Sequence, residues 1–122
     1  MARTEITPIR ATLRNTPCAA VTTSTLFTAI DATNGNKIKW RDADENYIIA
    51  LQNSDSSAAK TVTFEKGDSD FAAADMAISV PATKTVILSI DSARFKRLSG
   101  DDKGCILLNG DAAIKVAIFS AP

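Results

Sequence analysis

The stretch KTVTFEKGDSDFAAADMAISVPATKTVILSI, residues 60–90, carries the clearest fold signal in the chain. From Lys60 to Glu65, Val62 and Phe64 fall on one side of an extended chain, and Thr61, Thr63 and Glu65 on the other. Met76, Ile78 and Val80 then alternate with Ala77 and Ser79 until Pro81, which has no N–H to give to a ladder. Lys84 to Ile90 repeats the pattern, with Val86, Leu88 and Ile90 on the inner side. A period of two, with β-branched residues at most apolar positions, marks half-buried strands. Three strands are therefore predicted, separated by the turn residues Lys66-Gly67-Asp68 and Pro81 to Thr83. Gly67 to Asp75 has room for one helical turn, too little to nucleate alone.

On either side of this stretch the pattern persists. Ile114, Val116 and Ile118 alternate with Lys115, Ala117 and Phe119. Tyr47 to Gln52 is apolar at consecutive positions, as in a strand covered on both faces or central in a sheet, and Cys105 to Leu108 is a shorter run of that kind. Ala19 to Ile30, rich in Thr and β-branched residues, reads as one long strand or two joined by a kink, and Ile38 to Trp40 as a short one. Asn34-Gly35-Asn36, Asn53 to Ala58, Ser99 to Lys103 and Asn109-Gly110-Asp111 supply turn chemistry between them. No helical periodicity of convincing length occurs. Turn signals at this spacing suit a sandwich or an open barrel; the reading is all-β, a β-sandwich of jelly-roll or Ig-like winding with about seven to nine strands. Residues 1–17, with Pro8, Pro17, Arg3, Arg10 and Arg14, differ in composition and read as an extended arm that orders against a partner, ahead of a single sandwich domain over 18–122.

The chain has 122 residues, 14 Lys+Arg against 14 Asp+Glu, and no His. That length supports one core. Hydrophobic residues at 45% and charged residues at 23% are those of a folding chain, not a disordered one. Zero net charge provides no long-range field for polyanions, so nucleic acid is not an expected partner. Without His the usual Ser-His and Cys-His pairs cannot form, and the commonest zinc ligand is missing. The Gly residues form no phosphate-cradling motif. Asp68, Asp70 and Asp75, and Asp42, Asp44 and Glu45, read as solvated turn acids without calcium-loop spacing. No catalytic residue, metal ligand or cofactor is expected, and the chain is not expected to be an enzyme.

The apolar runs are too short to span a bilayer, and the first residues lack the apolar core of a secretory leader, so no membrane contact is expected and synthesis in a cytoplasm is. Cys18 and Cys105, without a CxxC, read as two buried thiols; a disulfide between the N- and C-terminal strands is the alternative. In Asp91-Ser-Ala-Arg-Phe-Lys-Arg, Arg94 and Lys96 share one strand face and Phe95 and Arg97 the other. Phe95 reads as a core anchor whose neighbouring cations bridge to acids, against an alternative of phosphate contacts around an aromatic platform. Trp40 and Tyr47 read as core or interface anchors, against a sugar-stacking platform.

Tyr47-Ile-Ile-Ala-Leu-Gln-Asn-Ser, Ala59-Lys-Thr-Val-Thr-Phe-Glu-Lys-Gly-Asp, Ile78-Ser-Val-Pro-Ala-Thr-Lys-Thr-Val-Ile-Leu, Asp91-Ser-Ala-Arg-Phe-Lys and Lys115-Val-Ala-Ile-Phe-Ser-Ala-Pro, taken in this order, resemble a group of small structural proteins of tailed bacteriophages. The resemblance covers about residues 30–122. It implies a virion component, as a head decoration (cement) protein on the outer capsid surface with the major capsid protein as partner. A tail or head–tail fitting, and a host-surface carbohydrate-binding module, are the alternatives. With that role the arm would dock on a capsid subunit, Arg3, Arg10 and Arg14 making charged contacts and Ile6, Ile9 and Leu13 apolar ones, while the sandwich self-associates as a trimer or other local-symmetry oligomer. Trp40, Tyr47, Arg94 and Lys96 are the further interface positions. The arm carries three Arg against Glu5, a charge of 3 − 1 = +2, which leaves −2 on the remainder.

Overall fold

Alternating side chains bury one face of each strand, and the chain meets that demand by stacking two sheets. The computed structural model describes residues 3–10, 15, 17, 20–22, 25–39, 46–67, 74–90, 95–98 and 100–121. Among them the strands are β1 (Thr4–Glu5), β2 (Ile9–Arg10), β3 (Thr28–Ala29), β4 (Asn36–Lys39), β5 (Asn46–Asn53), β6 (Lys60–Phe64), β7 (Met76–Val80), β8 (Thr85–Ile90), β9 (Cys105–Gly110) and β10 (Ile114–Ala121). One sheet has the order β1-β4-β9-β6-β7; the other runs β2-β10-β5-β8, with β3 also pairing with β10. The fold is a β-sandwich.

The pairings β4 with β9, β5 with β8, and β6 with β7 are nested and all antiparallel. A long hairpin rolled over on itself pairs in this way, so the winding is of the jelly-roll kind and not the Ig kind. β10 adds antiparallel to β5 along its whole length, from Ile114 against Asn53 to Ala121 against Asn46. This makes β5 a central strand of its sheet, as its consecutive apolar residues imply.

Side-chain alternation follows the sequence. Val62, Phe64, Val80, Ile114, Val116, Ile49 and Leu51 are fully buried between the sheets, and Ile118 nearly so. Phe95 joins them at 3% exposure, its ring 6.2 Å from that of Phe64 at 59°, a tilted pairing worth ~1 kcal/mol beyond burial. Gly67 is buried, and a Cβ there would strike the backbone at Phe95 and Lys96, so this glycine lets the two segments close up.

Over Ala19 to Ile30, read as one long strand or two joined by a kink, the described residues form only the short β3. Of this segment's described residues only Thr28 and Ala29 pair with β10. Upstream, both the amide and the hydroxyl of Thr25 donate to the Thr22 carbonyl, at 2.9 Å each. Hydroxyl-rich segments satisfy their backbone locally and so compete with a ladder. Gly67 to Asp75 falls mostly outside the described residues.

The β5–β6 crossover is held by a buried amide. Asn53 is 1% exposed; its Nδ2 donates to the carbonyls of Ala58 and Val80, each at 3.0 Å, and its Oδ1 accepts from the Asp55 amide at 2.9 Å. Asp55 in turn accepts from the Ser57 and Ala58 amides at 2.8 and 3.1 Å. These backbone donors hold the Asp55 carboxyl down at about 2, from an ordinary 3.8. A depressed carboxylate stabilises the fold above its unfolded-state pKa, and that contribution is lost as pH falls from about 4 towards 2. Thermal melts should therefore show a falling midpoint across that window, and Asp55→Asn should flatten the fall; an unchanged slope in the variant would reject this role for the turn.

Candidate interaction surface

Residues 3–10 are extended, and they lie against the chain's own sheets. β1 pairs parallel with β4, Thr4 in register with Asn36, and β2 pairs parallel with β10, Ile9 in register with Phe119. Between them the chain crosses from one sheet to the other, with Pro8 buried and Ile6 2% exposed. This corrects the reading of Ile6 as a partner contact: its side chain fills the chain's own core. A short apolar residue flanked by polar ones looks alike in a free arm and in an edge strand.

Arg3 is also engaged within the chain. Its Nη2 donates to Glu65 Oε2 at 2.5 Å and its Nη1 to Asn109 Oδ1 at 2.8 Å. Arg97 Nη2 reaches the other oxygen of Glu65 at 3.2 Å, and Asn109 Nδ2 donates to Oε2 at 2.6 Å. Two guanidinium groups thus share one carboxylate at the closed side of the sandwich. Gly35, at φ 76°, packs here because a Cβ would run into the Arg3 guanidinium. Thr4 donates from Oγ1 to Asp31 at 2.8 Å; with the Asn34 amide as the main cause, this bond lowers the Asp31 pKa. Beside the cluster lies an open hollow of about 400 Å³ lined by Arg3, Glu65, Arg97, Asp101 and Asp102, with charges of both signs facing one another.

The remaining expected interface positions divide. Ile9 is half-buried in β2, and Arg10 pairs through its backbone with Ser120. Tyr47 is fully buried, its hydroxyl donating to the Lys39 carbonyl at 2.9 Å. It is a core residue, in keeping with the core half of its reading, and this corrects its place among the interface positions: the inner face of a central strand gives its ring to the core. Lys96 is half-buried and bridges to Ile106. Leu13, Arg14, Trp40, Arg94 and Cys18 lie outside the described residues, as do Asp42, Asp44, Glu45, Asp68 and Asp70. Cys105 is a free buried thiol whose pKa burial raises, so it is chemically quiet. Among the described residues no group of His, Cys, Asp and Glu has metal-site geometry, and no helix is long and apolar enough to cross a membrane.

What the structure adds is an apolar outer face on the β10-β5-β8 sheet. Residues opposite one another in register share a face, so Phe119, Ile48 and Ser89 make one row and Ala117, Ala50 and Ile87 the next. Lys115, Gln52 and Thr85 make a polar third row. Ile48 is 47% exposed and Ile87 69%. The consecutive apolar residues of Tyr47 to Leu51 thus mean core on one side and, on the other, a face where Ile48 and Ile87 are exposed while Phe119 is half-buried and Ala50 and Ala117 are buried. A second feature is a cleft of about 330 Å³ between β2 and β3, over the edge of β10, lined among others by Ile6, Pro8, Val21 and Ile118 together with Thr7, Thr25 and Thr28. Exposed apolar neighbours on a rigid sheet mark contact sites for protein, membrane or ligand.

Compared with protein-family models, curated proteins and solved structures, the chain matches none.

Proposed function

We propose that this protein is a non-enzymatic structural component of a tailed-bacteriophage particle, a decoration protein that binds the outer surface of the major capsid protein shell. The sequence resemblance suggests the particle. The observation that carries a binding role is the outer face of the β10-β5-β8 sheet, where Ile48 and Ile87 stand exposed as diagonal neighbours beside half-buried Phe119, the smaller Ala50 and Ala117 of these rows being buried. Isolated surface apolar residues are ordinary, but neighbouring ones on one rigid sheet make a patch that a partner can cover. A shell repeats its subunit, so a modest face suffices when many copies bind side by side.

Cosedimentation with expanded capsids lacking the protein tests this reading. Wild type should pellet with the capsids and saturate. Ile48→Asp, an exposed position whose change spares the core, should weaken binding about tenfold or more while leaving the melting temperature nearly unchanged, as removal of a contact worth ~1.5–2 kcal/mol would. Density confined to the tail in cryo-EM of the virion would overturn the capsid placement, and glycan binding by the isolated protein would replace it with an adhesion role.

A further inference from the structure

The two long sides of the sandwich are finished differently. On one side the chain guards its own sheet edges: β1 lies along β4, and β2 and β3 lie along β10. On the other side the sheets end at β7 and β8, and among the described residues no strand covers either. Neither MAISV nor TVILSI contains a charged residue or a proline, two of the devices by which edge strands are kept from pairing. The two edges are not equivalent. The outward residues of β7, Ala77 and Ser79, are small, whereas β8 turns Ile87 outward at 69% exposure, the most exposed large apolar residue described.

We propose that β8 pairs with β8 of a second copy across a two-fold axis, joining two sheets into one. The register follows from the hydrogen bonds already made. The Asn53 amide donates to the Lys84 carbonyl, which places Lys84 in a hydrogen-bonded pair with β5. In an antiparallel ladder such pairs recur at every second residue, so Val86, Leu88 and Ile90 bond to β5 while Thr85, Ile87 and Ser89 aim both backbone groups at the open edge. A symmetric antiparallel partner uses all three of these residues in one register: Ile87 opposite its own counterpart, and Thr85 opposite Ser89 in both directions. Each pair exchanges two bonds. Shifting by two residues loses one of the three pairs, and shifting by one sets the outward groups of one strand against residues bonded to β5.

Side chains and charge agree with that register. It continues the row Ala117, Ala50, Ile87 into Ile87, Ala50, Ala117 of the second copy, so that the exposed isoleucine is covered by its twin. The half-buried Val86 and Leu88 of the inner face come opposite each other. In sequence β8 is preceded by Lys84 and followed by Asp91, so antiparallel association sets the basic end of each strand against the acidic end of the other, which parallel association would not.

The contact is small. Six residues extend ~20 Å, and with a sandwich side of similar width the pair buries roughly 800 Å² in total, below the ~1,200–2,000 Å² of a standing complex. A dissociation constant of about 10–500 μM is expected for the free protein, and crowding on a surface would populate the dimer. This inference does not rest on the capsid reading.

Sedimentation velocity from about 5 μM to 1 mM should show a monomer giving way to dimer, with Ile87→Lys monomeric throughout at unchanged melting temperature. Register is read by oxidation of single-cysteine variants in a chain whose Cys18 and Cys105 are replaced by Ala. Ile87→Cys should form a disulfide dimer at least tenfold faster than Thr85→Cys, because the pairing places position 87 beside its own copy and holds position 85 about 13 Å from its own. Monomer at every concentration, or equal cross-linking at the two positions, would overturn the proposal. A dimer that Ile87→Lys leaves intact would overturn it as well.

Discussion

Replacing Ile6 by Ala is expected to lower the free energy of unfolding by about 2–4 kcal/mol, and Ile6→Val by only ~1 kcal/mol, from lost transfer energy and the cavity left behind. Ile6 is 2% exposed and lies where the chain crosses from β1 to β2, its amide donating to the Lys37 carbonyl at 2.9 Å. A chain of this size has only ~5–15 kcal/mol of net stability, so the variant should unfold at visibly lower denaturant in a urea titration. If residues 3–10 were an arm awaiting a partner, both substitutions would leave the isolated protein's midpoint unchanged, which makes the measurement decisive. The same segment brings Arg3 to Glu65. Its loss would leave Glu65 with Arg97 and Asn109, a smaller change because these side chains are partly solvated.

Asn53→Ala should cost about 2–4 kcal/mol, an effect unusual for the loss of so small a polar side chain. The amide is spent on three backbone groups, the carbonyls of Ala58 and Val80 and the amide of Asp55; the bond to Val80 is fully buried, which denies that carbonyl replacement by water, and the other two are partly buried. The bond to Val80 also ties the loop after β5 to the end of β7, so two crossings between sheets loosen together. Asn53→Asp should destabilise too, because a carboxylate has no donor for the two carbonyls. Chemical denaturation of both variants checks this; a loss under ~0.5 kcal/mol in each would show that the loop satisfies itself in another way.

Period-two alternation made β6, β7, β8 and β10 legible almost to the residue, because a sandwich buries one face of each strand and the apolar positions record which. Phe95 was legible as a core anchor, with Arg97 bridging to an acid, although Phe95 itself lies outside the strands. The N-terminal segment was not. Two-residue parallel pairings such as Thr4 with Asn36 leave no periodic trace, and a basic, proline-bearing stretch has one composition whether it is docked in cis or in trans. Ala19 to Ile30 misled through propensity: Thr favours strands on average, yet here its hydroxyl and amide bonded locally.

The candidate surface divides in the same way. That Ile87 points away from Val86, Leu88 and Ile90 follows from the sequence, whereas its exposure on an uncovered edge does not. Ile48 and Phe119 are 71 positions apart, and only the β5–β10 register sets them side by side. Local alternation is enough to specify an all-β chain, its principal strands and the inner face of each. The jelly-roll winding, the docking of residues 3–10 on both sheets, the choice of core over interface for Tyr47 and the open edge at β8 come from tertiary structure alone. Each of these depends on which distant backbone groups pair, and hydrogen bonds of the main chain carry no side-chain signature.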